Sequence, residues 1–155
     1  AKKGLAFNKK ITGYKKDITW YGFDSFKGLQ ETWPGGIVAK KFFNLDGQTP
    51  QLDVNAKLVT GWFKDTVPKF FKKRSDEKIA FMHIDCDTYK STNDILNNIP
   101  IKHFQKGTII LLDDYISYYG WKDNVFKSFQ EWVKKNNIKY TYQVFGKKSA
   151  QVILS

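Results

Sequence analysis

Apolar positions along the chain alternate between short β-type runs and segments with helical spacing. Strands are predicted at residues 18–23, 56–60, 78–84, 108–112, 140–145 and 150–154. Helices are predicted from Asp65, from Thr88 to Ile99 and from Asp123 to about Asn136. This alternation predicts an α/β fold built on a mostly parallel sheet. The short connection 146–149 between the last two strands predicts an antiparallel hairpin at one edge.

Several side chains are predicted to have structural roles. Asp65 is expected to cap a helix with Pro68 in its first turn. Residues 78–84 form a near-continuous apolar run, which is typical of a strand covered on both faces. His83 lies inside that run, so we expect a buried core histidine, and we expect Cys86 to be a small buried residue.

Length and composition favour one folded domain covering residues 1–155. Hydrophobic residues make up 41% of the chain and aromatic residues 17%, enough to fill a core and to exclude disorder. We find no apolar run long enough to cross a membrane and no signal-peptide pattern. With Cys86 as the single cysteine, these features predict a cytoplasmic protein without membrane partners.

The net charge of +11 raises the alternative of a nucleic-acid partner. The basic residues are nearly all scattered lysines, and Arg74 is the single arginine, the residue best suited to reading phosphate and guanine. We therefore expect no specific nucleic-acid binding; salt-dependent binding to duplexes would test the alternative. A further interpretation is that the charge attracts anionic substrates.

Acidic residues follow three predicted strands: Asp24 after the first, Asp85 and Asp87 after the third, and Asp113 with Asp114 after the fourth. Carboxyl ends of parallel strands meet at one edge of a sheet, where ligands bind. Clustered carboxylates repel one another, and a hard divalent ion such as Mg²⁺ relieves that repulsion. The alternative is that they are ordinary loop and helix-cap aspartates. Asp87, just before the second helix, fits that alternative best.

Four motifs occur in order: YGFDSFKGL at 21–29, GWFKDTVP at 61–68, HIDCDTY at 83–89 and LDDY at 112–115. Together they resemble the macrocin O-methyltransferase family of sugar methyltransferases, from about Thr19 to the C-terminus. The resemblance implies a Rossmann-like class I methyltransferase sheet. It also implies S-adenosylmethionine as methyl donor, Mg²⁺ as cofactor and a sugar-type small molecule as acceptor.

The resemblance implies roles for seven residues. Metal ligands are implied at Asp85, Asp113 and Asp114, and Asp85 is also the candidate general base for the acceptor hydroxyl. Asp24 would accept hydrogen bonds from the ribose hydroxyls of the donor. The remaining residues, implied near the adenosine, are Ser25, Trp62 and Phe63.

One part of the family pattern has no counterpart here. The family begins with a strand and a glycine-rich turn for the donor's methionine part, and nothing before Thr19 resembles it. We therefore expect the first strand–helix unit to be missing or truncated, between the strands ending at Asp24 and Asp85. The chain would then be a fragment of a longer protein, a methyltransferase-like module without catalysis, or a subunit completed in a homo-oligomer.

Two points stay open. Asp85-Cys86-Asp87 after an apolar strand also resembles the Asp-x-Asp motif of metal-dependent glycosyltransferases, although Asp24 and the Asp113–Asp114 pair fit that alternative less well. The aromatic residues after Asp114 either stack on a sugar and close over the site or pack their loop down; they are Tyr115, Tyr118, Tyr119 and Trp121.

Overall fold

The computed structural model describes residues 20–33, 43–51 and 56–155. Its strands and helices, in chain order, are β1 Trp20–Asp24, β2 Ala56–Thr60, α1 Phe63–Lys72, β3 Phe81–Ile84, α2 Tyr89–Leu96, β4 Ile109–Leu112, α3 Val125–Lys135, β5 Tyr140–Phe145 and β6 Ala150–Leu154. The predicted α/β class is confirmed. The strand predicted to start at Ile18 is described from Trp20, and its first two positions lie outside the described residues.

The strands form two sheets. β1 and β2 pair in parallel, and β3, β4, β6 and β5 form a second sheet in that order. β3 and β4 are parallel, whereas β6 is antiparallel to both β4 and β5, which confirms the terminal hairpin. Across the described residues, β1, which ends at Asp24, and β3, which ends before Asp85, belong to different sheets. This is where the sequence predicts a missing strand.

The main core lies between the four-stranded sheet and helices α2 and α3. Helix α3 buries a stripe at helical spacing, made of Val125, Phe129, Trp132 and Val133, as its sequence pattern predicts. The facing sheet contributes fully buried side chains, among them Ile84, Ile110, Leu112 and Val152. Burying a side chain of this size stabilises the fold by about 1.5–3 kcal/mol. The core between the sheet and the two helices therefore supplies a large share of the stability.

The start of α1 differs from the prediction. Trp62, not Asp65, is the N-cap residue, and its carbonyl oxygen accepts hydrogen bonds from the backbone N–H groups of Asp65 and Thr66, both at 3.0 Å. Asp65 lies within the first turn, where its charge favours the helix dipole, and Pro68 lies further inside. The reason is local: Gly61, at φ +137°, turns the chain out of β2 so sharply that the helix begins at Phe63.

The expectation of a core histidine at position 83 is wrong. The His83 side chain is 41% exposed, because it lies with Phe81 and Asp85 on the more open face of β3. The buried histidine is His103, whose Nδ1 lies 2.7 Å from the carbonyl oxygen of Glu77 and whose ring packs against Phe71. Cys86 is buried as expected, with Sγ 3.5 Å from Thr92 Oγ1.

None of the helices within the described ranges is long and apolar enough to span a membrane.

Candidate metal and donor site

Acidic side chains converge where β3 and β4 end. The two strands are parallel with Ile84 opposite Leu112, and the backbone N–H of Asp113 donates to the Ile84 carbonyl at 2.9 Å. Asp85 therefore emerges next to Asp113 and Asp114. This adjacency follows from the parallel register and places carboxylates from two strands at one edge of the sheet.

The carboxylates form two overlapping groups that share Asp85. In each group the candidate ligand atoms lie within 4.8 Å of one another: His83, Asp85 and Asp113 in the first, and Asp85, Asp87 and Asp114 in the second. The three predicted metal ligands are thus close, but they are divided between the groups. We refer to the five residues together as the acidic cluster.

The alternative that Asp87 is only a helix cap is wrong. The cap of α2 is Thr88, whose hydroxyl accepts a hydrogen bond from the Ser91 N–H. Asp87 instead has a left-handed backbone, at φ +62°, and joins Asp85 and Asp114. The Asp85-x-Asp87 spacing was a signal for this, because two acids directly after a strand can reach one ligand position.

Burial and mutual repulsion shape the electrostatics of the cluster. Burial, reinforced by a hydrogen bond and repulsion from Asp114, raises the pKa of Asp87 to about 7. Burial and then the Asp113 charge raise the pKa of Asp85. His83 Nε2 lies 3.8 Å from an Asp113 oxygen, and the His83 charge acts in the opposite direction, lowering the pKa of Asp85. Oxygen donors that repel one another fit the requirements of a hard divalent cation such as Mg²⁺.

A cavity of about 280 Å³ lies beside the acidic cluster. All four residues implied to hold the donor line it, namely Asp24, Ser25, Trp62 and Phe63. Asp85 and Asp87 line the same cavity. Its volume is close to the lower end of the range of about 300–1,000 Å³ that is usual for small-molecule sites.

Local hydrogen bonds position the residues that are predicted to bind the methyl donor. An Asp24 carboxylate oxygen accepts from the Phe26 N–H at 2.8 Å, and this exposed residue lines the cavity. The buried Ser25 hydroxyl accepts from the Lys27 N–H at 3.1 Å. The Gly61 N–H donates to the Asp24 carbonyl at 2.9 Å, which holds the Trp62 segment next to the end of β1.

The segment from Ser25 to Trp33, here called the strap, forms another wall of the cavity. Gln30 Nε2 donates to Asp94 at 3.1 Å, and Glu31 accepts from the Lys90 N–H at 2.9 Å. These bonds fasten the strap to α2. The sequence carried no pattern that reveals these contacts, because they join residues more than fifty positions apart.

The aromatic residues after Asp114 do not act as a unit. Tyr115 is fully buried, with its hydroxyl 2.7 Å from that of Tyr142, and Trp121 packs edge-on against Phe126. Tyr115 and Trp121 therefore hold their loop against the rest of the fold. Tyr119 is 88% exposed, and Tyr118 stacks at a tilt on Trp33 of the strap.

Comparison with known proteins identifies the family. A sequence profile of the macrocin-O-methyltransferase (TylF) family matches residues 34–145, which is more than half of the chain. The chain belongs to the macrocin O-methyltransferase family. The resemblance noted in the sequence is thereby confirmed.

Two relatives of this macrocin O-methyltransferase family member come from Streptomyces. Demethyldecarbamoylnovobiocin O-methyltransferase of Streptomyces niveus is 34% identical over 131 residues, covering 71% of this chain and 47% of the relative. A tetracenomycin-C 4'-O-methyltransferase of Streptomyces olivaceus is 34% identical over 64 residues, covering 41% of this chain and 23% of the relative. The chain thus spans about half or less of the length of these relatives.

A solved structure resembles this family member in fold. The calicheamicin methyltransferase CalS11 superposes with a TM-score of 0.70 at 16% sequence identity, covering 97% of this chain and 65% of that protein. The predicted class I methyltransferase fold is confirmed by this superposition.

Proposed function

We propose that the protein acts as an S-adenosylmethionine-dependent O-methyltransferase on a sugar hydroxyl, with Mg²⁺ held by the acidic cluster. The observation that carries this proposal is the shared cavity, where the candidate donor residues and the cluster acids line one space. A methyl donor and an acceptor hydroxyl would meet in this cavity.

Family membership supports the reaction type, and the name of one relative supports the acceptor class. The Streptomyces olivaceus protein is named as acting at the 4' position of a rhamnosyl-bearing tetracenomycin. A sugar hydroxyl is a weak nucleophile, so its oxygen must be both positioned and relieved of its proton. S-adenosylmethionine would supply an already electrophilic methyl group.

Different residues of the chain would bind the donor, remove the proton and hold the metal ion. Asp24 would accept hydrogen bonds from the donor ribose, with Ser25, Trp62 and Phe63 around the adenosine. Asp85 belongs to both ligand groups and lines the cavity, which supports its assignment as the base that would take the proton of the acceptor hydroxyl. Mg²⁺ would neutralise the clustered charge and acidify a hydroxyl among these oxygens.

Calorimetry on the full chain tests the proposal. We expect S-adenosylhomocysteine to bind, with Asp24→Asn weakening it by at least about tenfold, the loss of roughly one charge-assisted hydrogen bond. Asp113→Asn should instead weaken Mg²⁺ binding and abolish turnover. Asp76→Asn, on an exposed loop, is the matched control and should change neither.

The outcomes separate the alternatives. A folded protein that binds no S-adenosylhomocysteine would favour a methyltransferase-like module without catalysis. Binding of uridine diphosphate-glucose with Mn²⁺, and no binding of S-adenosylhomocysteine, would favour the glycosyltransferase alternative. Full turnover in Asp113→Asn would refute the metal assignment.

A further inference from the structure

Four polar side chains from the loop after β4, from α3 and from β5 share one set of hydrogen bonds. The hydroxyl oxygens of Tyr115 and Tyr142 lie 2.7 Å apart. Gln130 Nε2 donates to the hydroxyls of Tyr115 and Tyr140, each at 2.9 Å. The hydroxyl oxygens of Tyr140 and Tyr142 lie 3.4 Å apart, which closes the set. We call these four residues the tyrosine network.

Tyr115 is the fully buried member of the tyrosine network. Its ring packs against Phe126 and Phe129 of α3. Its backbone N–H donates to the carbonyl oxygen of Lys148 at 2.7 Å. Buried polar groups that keep their hydrogen-bond partners make a core more rigid. Tyr115 is therefore fixed at both its hydroxyl and its backbone.

Asp114, directly before Tyr115, has an uncommon backbone conformation. Its φ is +45°, in the left-handed region that few residues with a Cβ adopt. Such a conformation persists when the surrounding structure holds it in place. On one side of Asp114, the Asp113 N–H donates to the Ile84 carbonyl at 2.9 Å, and on the other side lies the anchored Tyr115. Asp114 is thus held between two fixed neighbours.

The position of Asp114 determines the geometry of one group of candidate ligands. Its carboxylate lies within 4.8 Å of those of Asp85 and Asp87, which follow β3. Mg²⁺ requires near-ideal octahedral geometry with oxygens at about 2.0–2.1 Å, whereas Ca²⁺ accepts flexible geometry at about 2.3–2.6 Å. Ligands that are held rigidly can therefore favour Mg²⁺, and ligands that move lose Mg²⁺ affinity first.

We propose that Tyr115, anchored by the tyrosine network, fixes Asp114 so that the acidic cluster favours Mg²⁺ over Ca²⁺. Tyr115 is a positioning residue, because its hydroxyl bonds to Tyr142 and Gln130 and it acts on the ion through Asp114. This inference rests on the metal site of the proposed function. It adds a residue that determines which ion the site selects.

Calorimetric titration of the full chain with Mg²⁺ and, separately, with Ca²⁺ tests the inference. Tyr115→Phe keeps the buried ring and removes the hydroxyl. We expect it to weaken Mg²⁺ binding by about fivefold and Ca²⁺ binding by clearly less. Gln130→Leu removes the hydrogen-bond donor on α3 and should shift the ratio of the two affinities in the same direction.

Tyr140→Phe is the matched control. It is the same substitution in the same network, and the Tyr140 hydroxyl also bonds to Gln130, but Tyr140 lies in β5, 26 positions after Asp114. We expect it to lower the melting temperature and to leave both ion affinities unchanged. An equal loss of Mg²⁺ affinity in Tyr140→Phe and Tyr115→Phe would show general loosening of the fold and overturn the proposal. Equal weakening of Mg²⁺ and Ca²⁺ binding in Tyr115→Phe would overturn it as well.

Failure of this inference can be distinguished from failure of the proposed function. Wild-type protein that binds neither ion would refute the metal site and this inference with it. If the wild type prefers Mg²⁺, an unchanged ratio of affinities in Tyr115→Phe and Gln130→Leu would refute the role of Tyr115 alone. A wild type that binds Ca²⁺ as tightly as Mg²⁺ would also refute only this inference. S-adenosylhomocysteine binding, which reports on the donor site, should stay unchanged in both variants.

Discussion

The two sheets of this protein differ sharply in how they are packed. The four-stranded sheet is covered by α2 and α3, and this sheet and the segments packed on it contain nearly all of the buried apolar side chains among the described residues. Around the two-stranded sheet, the strand residues are only half-buried or exposed, and Val67 of α1 and Phe26 of the strap are the main buried apolar residues described there.

This difference matters because each part holds one half of the candidate site. The acidic cluster stands on β3 and β4, inside the well-packed part, whereas the donor residues stand on β1, the strap and the start of α1. A rigid scaffold positions ligands accurately, and a thinly packed region opens at low energetic cost. We therefore expect metal binding to be preformed and donor binding to depend on ordering of the second region.

The largest expected effect comes from deleting a core ring. Trp132 is 2% exposed and packs against Phe104 and Phe129, so Trp132→Ala should destabilise the protein by about 3–5 kcal/mol. Phe70→Ala, which removes a half-buried ring near the two-stranded sheet, should cost clearly less. Urea unfolding measures both, and equal losses would show that the two regions are packed alike.

A glycine pair tests the turn beside the donor residues. Alanine at Gly61 would place its Cβ 2.8 Å from Thr66 Cγ2 at φ +137°, so we expect a cost of about 1–3 kcal/mol and weaker S-adenosylhomocysteine binding. Gly107 also has a positive φ, but nothing lies within 4 Å of its Cβ position, so Gly107→Ala should cost only about 1–2 kcal/mol and leave that binding unchanged.

Thr66→Ser is the rescue variant for this pair. It removes the clashing methyl group and keeps the hydroxyl that donates to the Trp62 carbonyl. In the Gly61→Ala background it should recover part of the lost stability and binding. No recovery would mean that the backbone conformation, and not the contact with Thr66, sets the cost.

Asp87→Asn should stabilise the metal-free protein, in contrast to the destabilising core and glycine substitutions. Without a divalent ion, removing one repelling carboxylate should stabilise the protein by about 1 kcal/mol, while Mg²⁺ binding becomes weaker. Asp65→Asn, an exposed acid at the start of α1, should give no such gain. Thermal melts with and without Mg²⁺ measure this, and an unchanged or lower melting temperature in the metal-free variant would contradict it.

The gain should depend on pH with a defined sign. Folding raises the pKa of Asp87 to about 7, mainly through burial, so the folded protein holds this proton more tightly than the unfolded chain. The destabilisation of the wild-type protein by the Asp87 carboxylate is therefore absent below about pH 4. It grows as the pH rises and is complete above about pH 7.

The smallest expected effect lies in the strap. Glu31→Ala removes the acceptor for the Lys90 N–H and should change the free energy of unfolding by less than about 0.5 kcal/mol, because the site is at the surface. Hydrogen exchange of the Lys90 amide should nevertheless become faster. Glu131→Ala, which loses a contact with Tyr89 at the same helix, should leave that amide unchanged.

The parts that the sequence predicted well share a simple cause. Strands 56–60, 140–145 and 150–154 match the structure residue for residue, and the buried stripe of α3 follows its helical period. These features depend on local propensity and on the repeat of apolar positions. The hairpin was likewise predictable, because its turn is short and local.

The predictions were wrong where contacts with residues distant in the chain determine the local structure. A histidine inside an apolar strand suggested burial, but the open face of β3 leaves His83 exposed beside Asp113. An aspartate before a helix suggested a cap, but Thr88 caps α2 and Asp87 turns towards Asp114. The burial of one face and the direction of a side chain in a left-handed turn depend on tertiary contacts.

The sequence by itself determined the order of strands and helices, the acids at the strand ends and, through four motifs, the family. Periodicity and strand-end chemistry are written in consecutive residues, so no partner is needed to read them. Only the tertiary structure decided which acids share a ligand position, that the strap is fastened to α2, and that Tyr115 meets Gln130 and Tyr142. Such contacts depend on parallel register and packing, which bring together residues far apart in the chain.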